Sequence, residues 1–313
     1  MAYNLLQLTN ALLSHGADVH YGLDECISAT AMGVAIQEKN VAMVNHLISR
    51  GATINPVRKP NVTGLMSLVR LAVSDADNNT LVALLKAGAD PNMQDAGGLS
   101  TPLMKAVGEM EGNNMPEATK MLSTLLEANT DPDGVDWLGL TPLTHALWLE
   151  RFAARVYTVN KLLEHGADPD LPNAHGVMPL TLCIENEWTD TPAALRKARS
   201  ETARALVDAG ADVNTCGPGL PDSWPLLHAL SRNDGLRYGD EANDYNKVCA
   251  LYYGKVRELP PVEGPLSASG VRPAEPNITL ADVPEEGWNN PVTPILLKAG
   301  AEVSQALLDR VIY

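Results

Sequence analysis

The run DPDGVD at residues 131 to 136 sets carboxylates in close alternation, the kind of oxygen donor set that a hard cation such as calcium takes. A calcium loop of that type also needs Gly at its sixth position for the sharp turn and a bidentate Glu at its twelfth. Here those positions hold Asp136 and Pro142, so the metal reading fails. His145 in TPLTHAL (141 to 147) and His228 in WPLLHAL (224 to 230) could act as a general base or a zinc ligand only with partners at ligand spacing, and none stands there. His15 and His165 each precede a glycine, where a cation meets the negative end of a helix. No GxSxG, HExxH, P-loop or GxGxxG pattern occurs, and GPG at 217 to 219 reads as a turn. The expectation is no catalytic residue, no metal and no cofactor.

Bulk properties narrow the function classes further. With 23 Lys and Arg against 38 Asp and Glu, the chain carries a net charge of −15, which repels phosphate backbones and anionic lipid. Direct nucleic-acid binding is disfavoured, and LRKARSETAR at 195 to 204 reads as the solvated face of a helix. The four cysteines, Cys26, Cys183, Cys216 and Cys249, form no CxxC pair and read as reduced thiols. No run approaches the ~20 apolar residues that span a bilayer, and MAYNLLQLTNALLSHG lacks a basic lead, so no membrane partner and a cytoplasmic setting are expected. A single Phe among 45% hydrophobic residues implies a core of Leu, Ala, Val, Ile and Met, as suits thin layers of helices.

The elements that must carry any site are written in two alternating phrases. One is LLSHGAD (12 to 18), returning as LISRGAT (47 to 53), LLKAGAD (84 to 90), LLEANTD (125 to 131), LLEHGAD (162 to 168), LVDAGAD (206 to 212) and LLKAGAE (296 to 302). The other is TAMGVAI (30 to 36), TGLMSLV (63 to 69), TPLMKAV (101 to 107), TPLTHAL (141 to 147), MPLTLCI (178 to 184) and WPLLHAL (224 to 230). Thr at an N-cap accepts an orphan N–H, and Pro at the first helical position sacrifices no bond, so TP starts a helix. The Leu pair supplies the apolar stripe of a second helix, and Gly stops it in the left-handed conformation that other residues resist. Asp and Asn then bring turn chemistry, as in DPNMQDAGG and DPDLPNAHG.

This unit resembles the ankyrin repeat family, whose pattern is close to DxxGxTPLHxAxxxGxxxxVxxLLxxGADxN. The resemblance is carried by Asp136, Gly139, Thr141, Pro142, Leu143, His145 and Ala146, then Leu162, Leu163, Gly166, Ala167 and Asp168. It implies an all-α solenoid of stacked helix-turn-helix units with projecting loops or hairpins, with His145 and His228 as structural hydrogen-bonding residues. It also implies a binding scaffold without catalysis. The predicted organisation is ankyrin repeats with an N-terminal cap over 1–230, an insertion within the last repeat over 231–291, and a terminal half repeat with a C-terminal capping helix from Ser304 over 292–313. The insertion is expected to hold a helix at about 242 to 258 and then a Pro-rich loop.

The intervals depart from the family's 21 residues, which separate Thr30 from Gly51. Thr63 to Gly88 and Thr141 to Gly166 are each 25, Thr101 to Asn129 is 28, and Met178 to Gly210 is 32. The surplus predicts longer helices or bulging connections, with Asn129 taking the left-handed cap in place of Gly.

In family register the loop tips fall at Gln94 and Asp95, at Asp136 and Trp137, and at Asn173 and His175, with Tyr252, Tyr253 and Trp288 in the insertion as further contact candidates. Trp137 is the sharpest, because an aromatic at a tip is a common interface anchor; the alternative is that it folds over a neighbouring loop. Trp148, Trp188 and Trp224 are expected to pack. The partner expected is another protein, bound by an adaptor or stoichiometric inhibitor, with oligomeric state open. The irregular intervals fit a bacterial, phage or viral factor acting on host proteins. The alternative is an acidic decoy that mimics nucleic acid in the cleft of a DNA- or RNA-binding protein.

Overall fold

A computed structural model describes residues 2–21, 27–55, 67–95, 100–173, 176–185, 193–213 and 293–299. The described elements are helical throughout: α1 (Ala2–Ser14), a short 3-10 helix (Ile27–Ala29), α2 (Ala31–Gln37), α3 (Val41–Ser49), α4 (Leu68–Ser74), α5 (Asn78–Lys86), α6 (Pro102–Glu109), α7 (Met115–Glu127), α8 (Pro142–Leu147), α9 (Phe152–Glu164), α10 (Pro179–Glu185), α11 (Ala193–Asp208) and α12 (Thr293–Lys298). Two compact units divide the chain, Met1–Leu171 and Pro172–Tyr313. The expected insertion, the Ser304 cap, His228, Trp188 and Trp224 lie outside the described residues.

Each even-numbered helix of the first unit starts as its phrase requires. The side chains of Thr30, Ser67, Thr101 and Thr141 accept the backbone N–H of the residue three places on, and Thr144 answers Thr141 to complete a capping box. The second phrase closes each partner helix. Gly16, Gly51, Gly88 and Gly166 take φ between 85° and 91°, and the next N–H, from Ala17, Ala52, Ala89 or Ala167, returns to the carbonyl of the first Leu of the phrase at 3.0 Å. That bond gives the recurring Ala its role: it is the residue after the left-handed position of a Schellman cap. Asn129 takes φ 57° in the same place, as expected of it.

Pairs α2/α3, α4/α5, α6/α7 and α8/α9 pack within themselves, and α2, α4, α6 and α8 pack in succession as one row. A second row runs α3, α5, α7. Ala35, Ala72, Ala106 and Ala146, five residues after their caps, are all buried, and their small side chains let successive helices close on each other. Leu81, Leu84, Leu103, Leu122, Leu125, Leu143 and Leu162 fill the space between rows. Each full burial of that kind stabilises by roughly 1.5–3 kcal/mol. In the second unit α10 packs on α11 and α11 on α12.

One predicted register is corrected. The cap of α4 is Ser67, not Thr63, and Ser67 stands 21 residues before Gly88, the ordinary interval. Both residues can cap, but starting at Ser67 buries Leu68, Val69, Leu71, Ala72 and Val73 together. The four extra residues therefore precede the helix rather than lying between the pair. In the next two repeats the surplus does lengthen the second helix, α7 and α9 having 13 residues each against 9 in α3 and α5.

Candidate protein-binding surface

An aspartate that ends the second phrase holds the base of a loop in three repeats. Asp90, Asp131 and Asp168 each accept, through Oδ1, the backbone N–H two residues on, at 2.8, 3.0 and 2.8 Å. The residue at that second position reaches forward to the next repeat. Asn55 Oδ1 accepts from Asp90 N–H at 2.8 Å, Asn92 Oδ1 from Asp131 N–H at 2.8 Å, and Asp133 Oδ1 from Asp168 N–H at 2.9 Å. At the first step His20 Nδ1 and Thr53 Oγ1 meet at 3.1 Å. Residues 33 to 39 apart in sequence are thus joined rung by rung, so the loops of the first unit project from a fixed rail. Each rung contributes about 1 kcal/mol net and, more to the point, fixes the spacing of successive loops.

On that rail the hairpin from Asp131 to Leu140 carries the most exposed indole of the described residues. Asp136 N–H donates to Leu140 O at 3.0 Å and Gly139 N–H to Asp136 O at 2.9 Å, closing a tight turn with Trp137 and Leu138 at its apex. Gly139 takes φ 69°, a conformation a side chain would resist. Asp136 is buried beneath the turn: Oδ1 accepts from Leu138 N–H at 2.8 Å and from Leu140 N–H at 2.9 Å, and Oδ2 lies 3.1 Å from His145 Nε2. His145 is thus the structural residue expected of it, bonded to the loop that precedes its own helix. Trp137 is 66% exposed and Val135 44%. The carbonyl of Val135 accepts from Gln94 Nε2 of the preceding loop at 2.9 Å, which ties the tip sideways as well as downward.

The nine residues expected at a contact surface therefore separate. Trp137 stands out into solvent, and Gln94, half-buried, braces the tip. Asp95, Asp136 and Asn173, expected at exposed tips, are buried instead. Asp95 meets the Arg70 guanidinium at 2.7 Å. Asn173 repeats the Asp136 arrangement in the second unit, its Oδ1 accepting from Val177 N–H at 3.0 Å under a turn closed by Gly176. An aspartate or asparagine at this register position holds the loop from below, because its short side chain can satisfy backbone donors that the turn leaves unpaired. His175, Tyr252, Tyr253 and Trp288 lie outside the described residues.

Two exposed apolar residues escaped the sequence reading. Val135 has no motif to mark it. Trp148, expected to pack, is 38% exposed at the C-cap of α8, one residue past the end of the buried stripe. Its turn is rigid: the buried Arg155 donates through Nε to Leu149 O at 2.9 Å and lies over the Phe152 ring at 5.9 Å, while Arg151 N–H donates to Glu111 of the preceding repeat at 3.1 Å. His15 and His165 bond the carbonyls of Ala11 and Lys161 at 2.7 and 2.8 Å, the helix-end placement expected of them. Among the described residues no group of three or more His, Cys, Asp or Glu is placed to hold a metal, and no helix is long and apolar enough to cross a membrane.

Asp133 has its carboxyl raised above the ordinary range, first by burial and then by the Asp168 and Asp131 carboxylates, against the opposing bond from Asp168 N–H. A folded-state pKa above the unfolded one makes the fold less stable as pH rises through that window. Asn55, at the same register position, avoids this charge and also donates through Nδ2 to Gly88 O at 2.9 Å. Asp133→Asn should therefore stabilise the protein at pH 7, by about 1 kcal/mol for the added bond alone. The gain should narrow between pH 7 and about pH 3, because Asp133 takes up its proton as the pH falls through the ordinary carboxylate range. Thermal melts of both proteins at the two pH values check the sign.

Comparison with known proteins agrees with this architecture. Residues 69–173 match the family model for ankyrin repeats (3 copies). The chain is similar to the ankyrin repeat domain of Bcl-3, described as a unique member of the IkappaB protein family, with a TM-score of 0.54, 23% identity, and coverage of 71% of this chain and 86% of that one. It is also similar to an ankyrin repeat domain from Acinetobacter baumannii AYE, with a TM-score of 0.51, 22% identity, and coverage of 72% and 96%. A stretch of 135 residues is 33% identical to an L-asparaginase from Dirofilaria immitis, covering 43% of this chain and spanning only 20% of that protein's length. Residues 69–173 carry ankyrin repeats, and the described helices have the all-α ankyrin fold. Repeats of this family form protein–protein interaction scaffolds, and in general they bind rather than catalyse.

Proposed function

We propose that the protein is a non-enzymatic adaptor or stoichiometric inhibitor that grips another protein through the hairpin tip of Val135 and Trp137. The observation that carries this reading is a largely exposed indole on a turn that the buried Asp136 carboxylate holds from beneath through Leu138 N–H and Leu140 N–H. A pre-organised aromatic loses little entropy on binding, and Trp leads the residue types that dominate interface energies. Trp148 on its braced turn is a second apolar contact within the same unit. The acidic decoy draws less support, since the carboxylates of Asp90, Asp131, Asp133 and Asp168 accept backbone N–H bonds that build the loops. Cytoplasmic placement and action on host proteins belong to the proposal on the sequence features alone. The partial likeness to an L-asparaginase does not extend it to that activity.

The test starts with capture of binding proteins on the immobilised chain, followed by titration of each purified prey. Trp137→Ala should weaken the specific prey about 30-fold, as expected for loss of a central aromatic contact of about 2 kcal/mol. An unchanged Kd would remove the hairpin tip from the interface. Affinity that instead collapses between low and moderate salt would favour the decoy, whose binding is electrostatic.

A further inference from the structure

The loop edge that carries Trp137 is charged with one sign. The runs 88–95, 128–140 and 166–171 hold Asp90, Asp131, Asp133, Asp168 and Asp170, and neither Lys nor Arg. Asp95 and Asp136 stand in the same runs but are turned inward, one to the Arg70 guanidinium and the other to the turn beneath the tip. Asp90, Asp131 and Asp168 are exposed, and among the described residues no Lys or Arg pairs with them. The rungs made by Asn92 and Asp133 hold these three in successive loops. Their fields overlap: the Asp168 and Asp131 carboxylates add to burial in raising the Asp133 carboxyl. The rail itself does not need the charge, since Asn55 and Asn92 make two of its rungs with neutral side chains. A backbone N–H bonded to a carboxylate is a dipole, so the net negative charge of the edge stands.

We infer that the partner surface is basic: a Lys- or Arg-bearing segment of another protein, with one cationic side chain over the Trp137 indole and its neighbours facing the loop aspartates. The inference rests on the reading of the Trp137 tip as the contact and names what that contact accepts. An indole 66% exposed offers its face to a cation, whose aliphatic stem covers apolar surface while its head meets carboxylate. The row of aspartates attracts such a segment from a distance, speeds its encounter and repels an acidic or phosphate-bearing competitor. The decoy differs in one respect, because carboxylates that imitate phosphates need no indole. Here the loss of either the indole or the charge weakens binding.

The probe is a short synthetic peptide of alternating Lys and Gly, with Ser-for-Lys and Glu-for-Lys counterparts, titrated into the isotope-labelled whole chain. The Trp137 indole N–H resonance is identified by its loss in Trp137→Phe. The Lys peptide should move that resonance, and the Ser and Glu peptides should leave it in place. Asp90→Asn, Asp131→Asn and Asp168→Asn together keep an acceptor oxygen at each loop base, so their melt should match wild type, while the Lys peptide should bind about tenfold more weakly. Raising the salt should bring wild type down to the affinity of that variant. A Trp137 resonance that the Lys peptide does not move, or that the Glu peptide moves as far, overturns the inference. So does an Asn variant that binds the Lys peptide as tightly as wild type. Purified prey separates this failure from failure of the tip. A Kd that Trp137→Ala weakens and the three Asn substitutions leave unchanged keeps the tip and discards the basic partner, whereas a Kd that Trp137→Ala leaves unchanged discards both.

Discussion

Gly33→Ala should unfold the first helix pair at temperatures where the following repeats remain intact. A Cβ at Gly33 would lie 2.0 Å from Ile27 O and 2.7 Å from Ser28 Cα, both backbone atoms. No rotamer change relieves that contact, so either α2 or the 3-10 helix beneath it must move by more than 1 Å. The same strain falls on the cap: Thr30 Oγ1 accepts Gly33 N–H at 2.9 Å and donates to Ile27 O at 2.6 Å. A cost of about 3 kcal/mol is expected, at the upper end of overpacking substitutions. In a stack stabilised by nearest-neighbour contacts the loss stays local, so amide exchange in α2 and α3 should quicken while α6 to α9 keep their protection. Gly108→Ala is the control. It lies in α6 with no atom within 4 Å of its would-be Cβ, and should stabilise by about 0.5–1 kcal/mol through helix propensity. Opposite signs for one chemical change test the local geometry directly; equal effects would refute it.

Asp136→Ala should cost about 3–4 kcal/mol, because it strips two backbone donors and one imidazole of their shared acceptor beneath a closed turn. Leu140, one of those donors, is buried and has no water to turn to. Asp136→Asn should come within about 1 kcal/mol of wild type, since one oxygen suffices for both backbone bonds. Asn173 already serves the equivalent turn with a single acceptor oxygen. Denaturant unfolding of the two variants gives the comparison, and an Ala variant as stable as the Asn variant would show that the carboxylate does not hold the turn. The consequence for binding follows: the Ala variant should lose the prey along with its hairpin, whereas Trp137→Ala should lose the prey while melting like wild type. The two effects are separable because Asp136 is beneath the tip and Trp137 is upon it.

Much of the fold was legible in the residues alone, and the reason is locality. A Thr or Ser cap, a Pro at the first helical position and a Gly at the left-handed position act through bonds spanning three to five residues, so short phrases declare them. Asn129 could be assigned its conformation from that grammar without sight of its neighbours. The choice between Thr63 and Ser67 could not, since both can cap and only the set of apolar residues each register buries decides between them.

The candidate surface divides along the same line. Trp137 was legible, because register alone put it at a tip. The inward turn of Asp95, Asp136 and Asn173 was not, and neither was the solvent face of Trp148, because period and spacing place a residue on a loop without saying which way its side chain satisfies its polar atoms. What the sequence determined by itself was the succession of helix starts and stops and hence the repeat. What only the tertiary structure decided was the rail of Asn55, Asn92 and Asp133, because it depends on groups 35 or more residues apart meeting.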